Sequence, residues 1–180
     1  MEMEWAFMIR GLKICSLNNA YATRDRHKKV ETLKWMWDFK VQMLQRADQI
    51  QKIKARFNPR IHFLDVEYIW FVPEERLTTK SGAINTRSGD CSNFAKIPDD
   101  LAFNDVLGLD DGCICKESIY KVPSPNEEHW IRLIVRIRDI QLLREKAILS
   151  FPAGLIRATG ADTSEGATGV SNQSNTSANP

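Results

Sequence analysis

The chain of 180 residues, 43% hydrophobic and 27% charged, is long enough for one domain with a real core and too apolar for disorder throughout. No apolar run approaches the roughly 18–20 residues that span a bilayer, and the opening MEMEWAFMIRGLKICS lacks a basic segment followed by a long apolar one, so a cytoplasmic protein without a membrane partner is expected. The net charge of +2 hides an asymmetry: Arg10 to Arg60 carries 13 Lys and Arg against 4 Asp and Glu, whereas Asp90 to Glu128 carries 3 Lys against 9 acidic residues. Such a division suits an enzyme that grips a polyanion and cuts it with bound metal, and it equally suits two solvated surfaces of opposite sign.

In chain order, the large apolar residues of Trp5 to Cys15 predict a strand, followed by a cationic, turn-forming loop, SLNNAYATRDRHKK. From Lys29 to Arg56 apolar residues recur at helical intervals without Gly or Pro, which predicts one long helix ending before Asn58-Pro59. Within it, Trp35, Trp37 and Phe39 are candidates for core, dimer interface or base stacking; with Trp35 and Trp37 two positions apart, one is expected to point outward, to a dimer interface in preference to base stacking. IHFLDVEYIWFV, Ile61 to Val72, is β-branched and aromatic and predicts a strand closed by Pro73. Glu74 to Gly89 reads as a loop, and Asn93 to Leu107 as a helix with Pro98 in its first turns. CICKESIYKV and HWIRLIVRIRDI predict strands, the second with Arg132, Arg136 and Arg138 on one parity, and Gln141 to Leu149 a last short helix. From about Ala158 the chain is Gly-, Ser-, Thr- and Asn-rich and is expected to be a disordered tail on a domain of residues 1–157. The expected architecture is α+β: a single two-layer domain, a mixed sheet of about four strands with helices packed on one face.

The four cysteines, Cys15, Cys91, Cys113 and Cys115, read as free thiols in a reducing compartment, since C-x-C without a second Cys or His pair is a weak zinc signal. The unusual stretch is GDCSNFAKIPDDLAFNDVLGLDDG, Gly89 to Gly112. It gathers Asp90, Asp99, Asp100, Asp105, Asp110 and Asp111 around one cation, Lys96. Mg²⁺ takes one or two carboxylates plus water and phosphate oxygens, so aspartates from separate elements can hold it. A straight helix through this interval would set its ends roughly 22 Å apart, so a shared site requires the chain to fold back, near Asn104 or Gly108. Asp99 or Asp100 could orient Lys96 at helical spacing. An acidic surface with a DDG turn is the alternative.

The same stretch resembles the signature of the RusA family of Holliday junction resolvases, D-x-D-N-x-x-K, a helical stretch containing Asp, then L-x-D-D. Asp90, Asn93, Lys96, Asp100, Asp110 and Asp111 fall where that pattern places them, and Lys121 falls where the family often has a lysine. LNNAYATRDRHKK is similar to the family's early Asn-aromatic segment and basic loop, so the likeness runs from about Leu12 to Asp139. The resemblance implies a homodimer that binds branched DNA, four-way junctions above all, and cuts it symmetrically with Mg²⁺ (or Mn²⁺) in recombination and repair. It implies Asp90, Lys96 and Asp111 as catalytic residues and Asp90, Asp110 and Asp111 as metal ligands. Arg24, Arg26, His27, Lys28 and Lys29 form a basic cluster that suits DNA phosphates, a solvated loop being the alternative, and the resemblance adds Lys121 as a DNA contact; His27 has nothing placing it near the aspartates. One position departs: Ser92 stands where the family shows its second Asp, and a neutral hydroxyl is a poor Mg²⁺ ligand. A junction-binding protein with weakened or lost cleavage is therefore the rival expectation.

Overall fold

The computed structural model describes residues 3–12, 30–85 and 92–150. Along the chain run β1 (Met3–Arg10), α1 (Val30–Leu44), α2 (Ala47–Arg56), β2 (His62–Val72), α3 (Glu74–Leu77) and α4 (Ser92–Asp99). A π-helix (Asp100–Leu107) and a 3-10 turn (Asp111–Cys113) then lead to β3 (Ile114–Pro123), β4 (Trp130–Asp139) and α5 (Gln141–Ser150). The four strands form one sheet in the order β1-β4-β2-β3, with β4 antiparallel to both its neighbours and β2 parallel to β3. The fold is thus α+β on a mixed four-stranded sheet. No helix among the described residues is long and apolar enough to cross a membrane.

Alternation along the strands decides which face is covered. Trp5, Phe7 and Ile9 of β1, Leu64, Val66, Tyr68 and Trp70 of β2, and Ile131, Leu133, Val135 and Ile137 of β4 form one buried face. Trp35, Phe39 and Met43 of α1, Ile50 and Ile53 of α2, and Phe94, Leu101, Phe103 and Leu107 of the later helical segment pack onto it. The opposite face carries the arginines of β4, and they serve the sheet. Arg136 donates to Glu4 of β1 at 2.7 Å and to Glu67 of β2 at 2.8 Å, tying three strands together. Arg138 donates to Asp65 at 3.3 Å, and Lys116 of β3 closes on the same carboxylate at 3.0 Å. Asp65 is 2% exposed, so these two cations offset the cost of burying its charge.

Four expected elements differ. The long helix is two, broken at Gln45-Arg46, where Arg46 leaves helical geometry at φ −107°, ψ 42°. No Gly or Pro marks this break, so nothing local announces it. What it accomplishes is tertiary: the buried stripes of both helices reach the sheet. At the end of α1, Gln42 meets the end of β1, accepting from the Arg10 N–H at 2.7 Å and donating to the Arg10 C=O at 3.0 Å. The expected loop after Pro73 contains α3 and a small bridge between Thr78 and Ile84. Finally, the expected helix from Asn93 is regular only to Asp99. Pro98 lies inside it and has no N–H for the carbonyl one turn back, and from Asp100 the helix widens to π geometry. The strand expected to reach Cys15 ends at Arg10, followed by Gly11 at φ +70°. Asp90, Arg24, Arg26, Lys28, Lys29 and the tail from Ala158 lie outside the described residues.

Candidate active site on the β2–β3 crossover

Parallel strands cannot be joined by a tight turn, so the chain between β2 and β3 must cross over the sheet. The acidic stretch is the second half of that crossover. Its apolar residues Phe94, Ala95, Ile97, Leu101, Ala102, Phe103, Val106 and Leu107 are all buried, which pins the helix to the core and turns the remaining positions outward. Gly108 then ends it in the left-handed conformation, φ 63° and ψ 35°, and its N–H bonds the Phe103 carbonyl. That conformation suits glycine, and it sends the chain back toward the start of β3. The fold-back that a shared site requires is therefore present, with its pivot at Gly108.

Its consequence is a contact spanning 15 residues. Lys96 Nζ donates to Asp100 Oδ1 at 2.9 Å, within the helix, and to Asp111 Oδ2 at 2.9 Å, on the returning chain. Hydrogen bonds to Asp100 and then to Asp111 hold the Lys96 ammonium well above the ordinary lysine range, against a smaller effect of burial. In turn Lys96 lowers the Asp111 carboxyl below its usual range. Asn104 does not make the turn; its Oδ1 accepts from the Asp111 N–H at 3.2 Å and so fixes the returning strand to the π-helix. Asp110 has a different local task. Its Oδ1 accepts from the Gly112 N–H at 2.8 Å, capping the 3-10 turn. A Cβ on Gly112 would meet that oxygen at 2.9 Å, so a side chain there would push the capping carboxylate aside.

One residue along, Asp99 does the reverse of Asp100. It points inward, 8% exposed, and accepts from Tyr68 Oη of β2 at 2.7 Å. Burial raises its pKa to about 7, and burial likewise raises that of Glu117 on β3, which hydrogen-bonds with it. Burial also pushes the Tyr68 hydroxyl up, so it stays a donor. Of the two lysine partners the spacing allowed, only Asp100 is used. This interior carboxyl pair escaped the sequence reading, although a signal existed: Asp99 sits at i+4 from Ala95 and i−3 from Ala102, on the apolar stripe.

Lys121 lies with its Nζ 5.6 Å from the centre of the Phe94 ring, beside the first turn of α4, and Phe94 packs on Trp70 at 5.6 Å. Cys113 and Cys115 are free thiols. Among the described residues no three His, Cys, Asp or Glu side chains converge as a metal site. The Asp111 side chain is 31% exposed and reachable from solvent. No family model matches the sequence, and no curated protein is significantly similar to it.

Proposed function

We propose that this chain is a Mg²⁺-dependent endodeoxyribonuclease acting on branched DNA, four-way junctions in particular. The observation that carries the reading is the fold-back bringing Lys96 within 2.9 Å of Asp111, two residues of the motif that sequence alone left 15 positions apart. The donor chemistry suits a hard cation held by Asp111, with Asp110 and Asp90 as further carboxylates. When bound there, Mg²⁺ would supply charge stabilisation and a water of lowered pKa.

The chain's own residues have definite parts. Lys96 stays cationic, so it is neither a general base nor a proton donor near neutrality; it offers fixed positive charge to a phosphate oxygen and to the negative charge that grows there. Asp100 keeps Lys96 positioned when Asp111 engages another cation. Hydrolysis adds the water oxygen to phosphorus and breaks one P–O ester bond, and the leaving strand end takes up a proton. Arg24, Arg26, Lys28 and Lys29 supply backbone contacts, with Lys121 next to the start of α4. Two copies would present two such sites to a two-fold symmetric junction.

A labelled four-way junction incubated with the protein, with and without Mg²⁺, tests the reading. Paired nicks that need the metal support it; junction that is bound and left intact points to the second reading, a structure-selective binding protein. Ser92 favours that alternative, because it removes one carboxylate from the motif. On that reading, Ser92→Asp creates or sharply raises cleavage. Absence of any salt-dependent affinity for DNA would defeat both.

A further inference from the structure

The sheet face turned away from the main core is covered in part by α5, and the two do not close on each other. The helix is anchored at its first turn, where the Gln141 N–H donates to Asp139 Oδ1 at 2.8 Å and the Ile140 N–H to the Ile61 carbonyl at 2.9 Å. Beyond that turn it stands off the sheet, and none of its residues is buried. Between helix and sheet lies a cavity of about 270 Å³. Its walls divide by chemistry. Leu142 and Leu143 of α5 and Phe63 of β2 supply apolar surface, while Lys116, Arg138 and Lys146 supply three cations and Asp65 one carboxylate.

Three cations to one carboxylate leave this cavity with a surplus of two positive charges beside hydrocarbon. Asp65 is already held by Lys116 and Arg138, and Lys146 has no ion-pair partner among the described residues. Surplus charge and apolar wall together define the occupant, an anion with a hydrocarbon body. Asp65 shows which anion these groups take: a carboxylate, gripped from two directions. We infer that the cavity binds a small amphiphilic carboxylate, a medium-chain acid. Its head sits between Lys146 and Lys116, and its chain lies along Leu142, Leu143 and Phe63. At the roughly 30 Å³ that a water occupies, the space accommodates about nine non-hydrogen groups, the size of an eight-carbon acid. A ligand so small binds with a Kd on the order of 1 mM. The site lies on the opposite face of the sheet from Lys96 and Asp111, and the inference stands whether or not the chain cuts DNA.

Cys115, exposed and lining the cavity, is a built-in reporter. The full chain is alkylated with iodoacetamide, and tandem mass spectrometry separates the rate at Cys115 from that at Cys113. Sodium octanoate should slow Cys115 about 5-fold or more at saturation, with half the effect on the order of 1 mM, and leave Cys113 unchanged. Octanol and octylammonium, the same chain with no charge or the opposite one, should need at least about 10-fold higher concentration. Lys146→Ala should raise the half-effect concentration about 5-fold or more, and Lys146→Arg should restore it. Leu142→Asp should abolish protection; both positions are solvent-exposed, so the melting temperature without ligand should stay close to wild type. Ligand-observed NMR of octanoate reads binding directly. No binding up to about 20 mM, binding that leaves Cys115 unprotected, or equal slowing of both cysteines would overturn the inference. So would equal protection by octanol, or indifference to Lys146→Ala. Protected Cys115 in a chain that cuts no junction would sink only the nuclease reading, and cleavage without protection would sink only this one.

Discussion

Asp99 and Asp100 are adjacent in sequence and belong to different worlds. Asp100 sits in the outer cluster with Lys96 and Asp111, all part-exposed, where water shares the cost of every charge. Asp99 sits in the inner cluster with Tyr68 and Glu117, where burial works against ionisation. Asp111 is driven toward the charged state by a lysine, and Asp99 toward the neutral state by the core. A count of acidic residues treats them alike. Rotation of about 100° per residue along a helix pinned by Leu101 and Phe103 is what separates them.

This contrast can be broken from either side. The largest effect should come from the outer cluster: Asp111→Asn or Lys96→Met should lower junction cleavage at least about 10²–10³-fold while leaving junction binding and the melting temperature close to wild type. Unfolding or lost binding in these exposed positions would contradict the role given to them. In the inner cluster the penalty should fall on stability instead. Tyr68→Phe strands a buried carboxyl without its donor and should cost about 1–3 kcal/mol in urea unfolding.

A pH series sharpens the comparison further. Asp99 has a folded pKa near 7, raised from its ordinary value, so the folded state binds its proton more tightly than the unfolded chain does. Its contribution is complete below about pH 4 and is lost as pH rises through 7. Asp99→Asn should therefore flatten this dependence and, relative to wild type, gain on the order of 1–2 kcal/mol between pH 5 and pH 8. Thermal unfolding of both proteins at the two pH values measures it; an equal difference at both would exclude a proton held on Asp99 in the folded state. The smallest effect belongs to the exposed Lys40–Asp105 pair, where Lys40→Ala should change stability by no more than about 0.5 kcal/mol.

The sheet was legible because alternation is a local signal: β2 and β4 were visible from their β-branched and aromatic residues, with the arginine parity of β4 in plain view. Strand order was not, since pairing β2 parallel to β3 depends on the crossover. The α1–α2 break carries no Gly or Pro and is fixed by tertiary packing. Pro98 was visible, but its sequel, the π-helix, depends on which residues the core holds. Within the candidate site, Lys96, Asp100 and Asp111 could be named from spacing, and the arginines of β4 could be named but not their partners. Asp99 and Asp100 were equally open as partners of Lys96 because both lie at helical spacing from it, and only the fold decides between them.

The meeting of Gln42 with Arg10 has a further consequence. β1 is one of the two outer strands of the sheet, with β3 at the other edge, and an outer strand is where a foreign strand could pair and seed aggregation. There a primary amide, one donor and one acceptor on a single carbon, imitates the peptide group of a neighbouring strand at Arg10. An intruder would have to displace both bonds at once. The side chain acts as a one-residue substitute for a fifth strand and helps keep the sheet from growing.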